Sequence, residues 1–295
     1  GEKPKEGEEK IKFNPDKHIL LEEAQKIKKD IKVNEDLIFP LKEERSFSRI
    51  AAQTAKQVIL QKIKEIEKET TFQEYKAKED KVVLGVVQKV DKKNVLVNVG
   101  KVIGILPKEE QVQGEFYRPG QRMKVYIKKV ELTPKGSLII LSRAYPKLVS
   151  RLFESEVPEI QQGIIQIESI AREPGSRTKI AVSSKKKEID PVGAVVGHRG
   201  TRVQVVINEL GGEKIDVIEY SPDPAKYIAN SLSPAKVVEV KILPKNIAKV
   251  FVLPEQLSLA IGKDGQNVRL ASKLTNWRIE VEVFQPTLEE KQKKE

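Results

Sequence analysis

The chain carries the segment Val195-Val196-Gly197-His198-Arg199-Gly200-Thr201-Arg202-Val203, and 65 residues further on a related one, Ala260-Ile261-Gly262-Lys263-Asp264-Gly265-Gln266-Asn267-Val268. Each places a Gly-x-x-Gly between two apolar stretches of helical character. Two glycines three apart let the backbone turn sharply between consecutive helices, because glycine reaches positive φ without steric cost. They also remove the side chains that would hold a sugar-phosphate chain away. The second helix then offers free first-turn N–H groups at the positive end of its dipole, which suits a phosphate. The chemistry this spacing predicts is non-covalent capture of a polyanion backbone. Gly197, His198, Arg199, Gly200 and Arg202 are the candidate contacts in the first copy, and Gly262, Lys263, Asp264, Gly265, Gln266, Asn267 and Arg269 in the second. Among these Asp264 faces a phosphate awkwardly.

The elements that must position the two loops repeat as well. A β-branched run lies upstream of each, Lys179-Ile180-Ala181-Val182 and Lys249-Val250-Phe251-Val252. An amphipathic stretch lies downstream, followed by a strand, Lys214-Ile215-Asp216-Val217-Ile218 or Arg278-Ile279-Glu280-Val281-Glu282. One such tetrapeptide alone would read as an ordinary helix cap, but the order strand, helix, Gly-x-x-Gly, helix, strand occurring twice is an internal repeat. It is the pattern of KH-type modules, which clamp about four nucleotides of a single strand.

Charge agrees with a polyanion partner. The 295 residues hold 54 Lys plus Arg against 43 Asp plus Glu, a formal charge of +11. A 33% charged composition also describes a well-solvated surface, so charge counts here only beside the two loops. The absence of Cys excludes disulfides and thiolate metal sites and is comfortable in a reducing compartment. The two histidines, His18 and His198, lie far apart, and His18 reads as a surface residue. No Walker loop, His-Glu-x-x-His or Gly-x-Ser-x-Gly is present, so no enzyme, cofactor or metal reading finds residues to name. No apolar run approaches the roughly 20 residues that cross a bilayer, and no signal-peptide core is seen; a soluble, cytoplasmic protein is expected. The missing initiator Met suggests a fragment or processed product.

Residues 1–12 are charged and nearly without apolar groups, which predicts disorder. Ile19, Leu20, Leu21, Ala24 and Ile27 can pack one side of a helix, with Ile31 and Val33 in a strand. From Ser46 to about Ala77 apolar residues recur at three and four, predicting a long helix capped by Ser46 or Ser48. Strand periodicity follows at 82–90, 94–99, 102–106, 121–130 and 137–142, divided by Asp91-Lys92-Lys93, Gly100, Pro119-Gly120 and Pro134-Lys135-Gly136. Five short strands in this span predict a small OB-type barrel of the S1 kind. Its stacking aromatics are scarce, Phe116, Tyr117 and Tyr126, at least one of them core, so weak RNA binding is expected. Lys124, Lys128, Lys129 and Arg143 would supply phosphate attraction. A connecting helix over 145–158 ends near Glu156-Val157-Pro158. Strands at 163–171 and 176–183 join at Glu173-Pro174-Gly175. The link Ser221-Pro222-Asp223-Pro224, with Asp223 as a helix cap and Pro224 in the first turn, should hold the two KH modules in a nearly fixed relation. The fold class is multidomain α+β: a partial α/β N-terminal domain with a long helix over 1–78, an OB-fold (S1-like) β-barrel over 79–144, two tandem prokaryotic-type (type II) KH domains over 145–220 and 221–286, and a charged, frayed tail over 287–295.

The stretches Arg49 to Lys62, Val157-Pro158-Glu159-Ile160, Ala171-Arg172-Glu173-Pro174-Gly175-Ser176-Arg177-Thr178-Lys179-Ile180-Ala181-Val182, Asp190-Pro191-Val192-Gly193 and Ala260 to Ala271 closely resemble the bacterial NusA family of transcription termination/antitermination proteins. The likeness covers nearly everything after about residue 40. It implies a factor that contacts RNA polymerase through its N-terminal domain and nascent single-stranded RNA through the S1 and KH domains, modulating pausing, termination and antitermination. Other Nus-type elongation factors are further implied partners, and a monomer is expected. The head of the N-terminal domain looks shortened, and nothing after the second KH module resembles the acidic C-terminal repeats of some relatives. A competing reading is an accessory subunit of an RNA-degradation complex, since S1 and KH modules also accompany exoribonucleases. There, however, a catalytic core precedes KH and then S1. A purely structural assembly protein is a third reading.

The charge and the paired loops together predict that single-stranded RNA binds with an affinity falling steeply in salt, log K dropping by about 0.7 per contacted phosphate per decade. A salt titration by fluorescence anisotropy measures it, and a flat response would remove the electrostatic part of the reading.

Overall fold

The computed structural model describes residues 18–28, 30–33, 35–38, 49–134 and 136–284. The expected disorder of 1–12, the caps Ser46 and Ser48 and the tail 287–295 lie outside the described residues. The chain divides into two compact units, 1–61 and 62–295. In the first, α1 (Leu21–Ile27) buries Ala24, as the apolar spacing predicts. The expected strand at Ile31 and Val33 does not form. Local turns take the backbone groups a ladder would need: the Ile31 amide donates to the Lys28 carbonyl (3.3 Å) and the Glu35 amide to the Lys32 carbonyl (3.2 Å), while the Glu35 carboxylate accepts from the Lys32 amide (3.1 Å).

Helix α2 (Arg49–Lys76) is uninterrupted by Pro or Gly, and Ile59, Ile63 and Ile66 lie exposed on it. Its last turns rest on the barrel. Tyr75 is buried, its hydroxyl donating to the Val99 carbonyl (2.6 Å) and accepting from the Lys101 amide (3.2 Å). Strands β1 (Val82–Val90), β2 (Asn94–Asn98), β3 (Ile103–Pro107), β4 (Arg122–Thr133) and β5 (Gly136–Ser142) close in the order β1-β2-β3-β5-β4. Only β3 and β5 pair in parallel. Alternation supplies the core: Val95 and Val97 from β2, and Met123, Val125 and Ile127 from β4, point inward with Ile139 and Leu141. Of the three aromatics, Tyr126 is fully buried, Tyr117 packs against the core and Phe116 faces water.

Two α-β-β-α-α-β modules follow. The first is α3 (Lys147–Glu156), α4 (Pro158–Gln161), β6 (Ile165–Glu173), β7 (Arg177–Ser184), α5 (Pro191–Val196), α6 (Thr201–Glu209) and β8 (Lys214–Glu219), its short α4 an addition after the predicted stop. The second is α7 (Pro224–Ser231), β9 (Val237–Leu243), β10 (Ile247–Val252), α8 (Leu257–Ile261), α9 (Gln266–Thr275) and β11 (Arg278–Val283). In each sheet the central strand, β7 or β10, pairs antiparallel on one side and parallel on the other. Both are the sequence's β-branched runs.

Two junctions, with a buried ion pair inside the first module between them, make the second unit continuous. Tyr126 leaves the barrel core for the first module, where it packs with Leu148, Leu152 and Phe153, and its hydroxyl donates to Asp80. Arg172 and Glu213 form a fully buried pair (2.9 Å); Glu213 also accepts from Thr178 and the Gly175 amide, and Arg172 donates to the Tyr145 carbonyl (3.0 Å). Between the KH modules, Ala171, Ala181 and Ile218 of the first sheet pack on Tyr227, Leu270 and Leu274 of α7 and α9. Asp223 caps α7 at the Ala225 amide (3.1 Å) with Pro224 in its first turn, as predicted. The fixed relation of the modules therefore rests on a packed interface as well as on the proline link.

Arg172→Ala strands Glu213 as a buried, unpaired carboxylate, so it should cost about 3–5 kcal/mol. Urea denaturation measures this, and the double change Arg172→Met with Glu213→Leu should recover part of the loss.

Candidate nucleic-acid interface

Helix α5 starts on a side-chain cap, the Asp190 carboxylate accepting from the amides of Val192 and Gly193 (3.0 Å each). It stops at Gly197, which takes φ 78° and ψ 170°, a conformation only glycine adopts readily. Arg199 follows at φ 51°, ψ 28°, then Gly200 at φ 77°, ψ 13°. In the second module Gly262 takes φ 75°, ψ 171°, Asp264 φ 51°, ψ 29° and Gly265 φ 72°, ψ 16°. Two different sequences thus build one backbone shape. Each is closed by a turn bond, Gly200 amide to Gly197 carbonyl (3.0 Å) and Gly265 amide to Gly262 carbonyl (3.2 Å).

The first glycine of each loop is required by space as well. A Cβ on Gly262 would lie 2.8 Å from the backbone nitrogen of Asn267, and one on Gly197 2.7 Å from Cγ of Arg202. The second glycines, Gly200 and Gly265, have room for a Cβ, which would meet only Val203 at 3.9 Å and Arg269 at 4.0 Å, and serve as the N-caps of α6 and α9. Neither helix has a side-chain cap, so its first-turn amides have no side-chain acceptor at the cap. The arrangement can accept an anion along two helix starts without steric obstruction.

The predicted side chains separate into three groups. His198, Arg199, Lys263 and Asp264 are exposed at the loop tips. Arg202, Gln266 and Arg269 stand at the loops but are engaged: Arg202 donates to Glu159 (3.0 Å) and the Ala194 carbonyl (2.6 Å), and Gln266 to Glu173 (2.8 Å) and Ser176 (2.7 Å). Arg269 pairs with Glu173 (2.6 Å) and donates to the Asp264 carbonyl (3.0 Å). That guanidinium, more than Gln266, holds the Glu173 carboxyl below its usual range.

Two predicted contacts are corrected. Asn267 is 2% exposed, and its amide donates to the carbonyls of Leu232 (2.9 Å), Leu259 (3.0 Å) and Ala260 (3.2 Å), locking α9 to α8 and α7. Arg143, also 2% exposed, pairs with Glu115 and donates to the carbonyls of Lys124 (2.8 Å) and Glu209 (3.0 Å). It ties barrel to module and presents nothing to a phosphate in solvent. Lys128 and Lys129 remain exposed beside Glu110 and Glu131, with the Lys128 ammonium 5.6 Å from the Tyr145 ring. Sequence reading passed over Lys185, Lys186 and Lys187, exposed between β7 and α5, although three consecutive lysines are a legible charge signal. Among the described residues no group of three or more His, Asp or Glu could hold a metal, and no helix is long and apolar enough to cross a membrane.

Comparison with known families gives four consecutive matches: the NusA N-terminal domain over 6–69, the S1 RNA binding domain over 76–143, the NusA-like first KH domain over 143–220 and the NusA-like second KH domain over 224–288. The transcription termination/antitermination protein NusA of Bacillus subtilis is 47% identical over 264 residues, covering 89% of this chain and 71% of that protein. NusA of Thermus thermophilus is 47% identical over 271 residues, 91% of this chain and 70% of that protein. NusA of Halalkalibacterium halodurans is 46% identical over 270 residues, with the same coverages, 91% and 70%.

The two glycines of a loop should respond differently to a methyl group. Gly265→Ala meets only its positive φ, a cost of about 1–2 kcal/mol, whereas Gly262→Ala must also displace the Asn267 backbone and should cost more. Thermal melts of the two variants measure the difference, and equal costs would contradict the close approach at Gly262.

Proposed function

The chain belongs to the NusA family of transcription termination/antitermination proteins, and from that premise we propose that it is an elongation factor holding nascent single-stranded RNA on its KH pair while its N-terminal domain contacts RNA polymerase, so as to modulate pausing, termination and antitermination. The observation that carries the RNA half is the pair of loops with one backbone shape, open helix starts and a packed interface between their modules. Its working divisions are the spans 1–78, 79–144, 145–220 and 221–286, and its setting is the bacterial cytoplasm, as a monomer without cofactor or catalytic step.

In this mechanism the glycines let the strand approach the backbone, and the first-turn amides of α6 and α9 donate to phosphate oxygens. His198, Arg199 and Lys263 add charge-assisted contacts at the tips. Arg269 and Gln266 join by exchanging Glu173 for phosphate, and Arg202 supports the first loop from behind. Lys128 and Lys129 contribute long-range attraction. Because the modules are held together, a strand bound to one loop meets the other at an effective concentration in the millimolar range, which raises affinity by about 10²-fold or more without new contacts.

The test pairs RNA binding with polymerase capture. His198→Asp with Arg199→Asp, or Lys263→Asp, should weaken binding of unstructured RNA by about tenfold or more per lost charged contact, with the circular dichroism unchanged. In a lysate pull-down with the full chain, polymerase should persist after RNase treatment. Unchanged RNA affinity in both variants would reduce the loops to structural turns, and polymerase lost with the RNA would sink direct contact.

A further inference from the structure

Where the two KH modules meet, the surface opens into a cleft of about 340 Å³ whose walls come from both. Glu168 of β6 forms one side, the link around Tyr220 and Pro222 a second, and Tyr227 of α7 with Trp277, just after α9, the third. The rings are held in place. Tyr220 and Tyr227 meet edge to face, their centroids 5.0 Å apart. The Tyr227 hydroxyl lies 2.6 Å from that of Ser169, and both reach the Leu274 carbonyl, at 3.2 and 3.1 Å. Trp277 follows Asn276, whose left-handed backbone (φ 60°) ends α9, and it packs on the core of the second module while staying half-buried.

Charge sets the cleft apart from the rest of the chain. The formal charge is +11, yet among the described residues no Lys, Arg or His lines the cleft, and its one charged wall residue is Glu168. That side chain is exposed. One carboxylate oxygen accepts from the Ser183 hydroxyl (2.6 Å), and the other has no partner among the described residues. Aromatic faces attract a cation placed within about 6 Å of the ring centroid. With a carboxylate at the rim they suit a planar guanidinium above all, since it stacks on a ring and forks to a carboxylate at once. A phosphate-bearing strand fits poorly. The carboxylate repels it, and the cleft stands at the far end of α9 from the second Gly-x-x-Gly loop, ten residues or about 15 Å along the helix.

We propose that this cleft is a docking site for an arginine side chain presented on an exposed segment of a protein partner. Its walls belong to both modules, so it exists only while they are packed together, and an occupied cleft stabilises that packing by mass action. The partner thereby reads the docked pair. The docking site depends on the interface between the modules and not on RNA binding by the loops, and the bound side chain occupies neither loop.

Trp277 is the single tryptophan of the chain, so its emission reports on the cleft directly. The full chain is titrated with capped Gly-Arg-Gly and, at equal ionic strength, with the citrulline counterpart, which keeps the planar group and lacks the charge. The arginine peptide should change Trp277 emission saturably, and the citrulline peptide should bind about fivefold more weakly. Because the chain as a whole repels cations, a saturable response has to be local. Tyr220→Ala and Glu168→Gln should each weaken the arginine peptide about two- to fivefold, whereas Tyr220→Phe, which keeps the ring, should not. None of the three should alter the affinity of unstructured RNA. Emission that ignores the arginine peptide, or that responds equally to citrulline or in both weakened variants, overturns the docking site and leaves the loop reading intact. A Trp277 response to RNA that the arginine peptide competes away would make the cleft a nucleotide site and overturn the proposal as well.

Discussion

The Lys179 side chain has no solvent exposure, and its ammonium meets two acceptors: Asp216 on the neighbouring strand (3.1 Å) and the Ser233 carbonyl of the second KH module (2.7 Å). Burial pushes its pKa below the usual lysine value, with Asp216 opposing. A cation can be enclosed only where hydrogen bonds replace its water. Half of that replacement comes from the other module. The first sheet's outer face is therefore complete only when α7 and α9 cover it, and the relation between the two Gly-x-x-Gly loops follows from that requirement. The second module shows the alternative. There Lys249 sits in the corresponding central strand beside Glu280, pairs with Glu282 (2.6 Å) and keeps 37% of its side chain in water.

The other junctions use the same device. Arg143 reaches from the barrel to the end of α6, Arg172 and Glu213 close the base of the β6–β7 turn, and Glu173 at the end of β6 grips Arg269. Such pairs add little net stability, because desolvation offsets most of their Coulomb gain, but a displaced partner leaves a charge stranded. A slipped docking of barrel on module, or module on module, is thus penalised at several points at once. Tyr126, Tyr227 and the apolar residues around them supply the area, and the charges fix which arrangement is allowed.

Sequence made the backbone-driven features readable. Glycine spacing fixed the loops, and the turn-forming residues at 91–93, 100, 119–120 and 134–136 divided the barrel strands nearly where they end. Strand β9 carries a plain Val-Glu-Val-Lys-Ile alternation that was legible in the sequence without being assigned there. What sequence could not show is where a polar side chain points. Arg143 and Asn267 look like ligand-facing residues in one dimension, yet tertiary packing turns one into a strap and the other into a lock. Ile31 and Val33 have strand propensity and no strand, since propensity on a short segment yields to local turn bonds.

Asp264 remains the odd residue of the site, and the backbone accounts for it. The third position of each loop is left-handed, φ 51° in both copies, and aspartate is among the few non-glycine residues that tolerate this region. Arg199 occupies the same position in the first loop against its own preference, and in return presents a cation where the second presents a carboxylate. Backbone strain and charge therefore pull in opposite directions in the two copies. The first loop tip thus exposes His198 and Arg199, whereas in the second Lys263 is set against Asp264. Under the proposed role a rigid pair tolerates that asymmetry, because a weaker loop would act on a strand already delivered by the other. Under the proposed RNA-holding role, two equal loops would hold a strand more firmly at both ends, whereas an unequal pair could release one end while keeping the other.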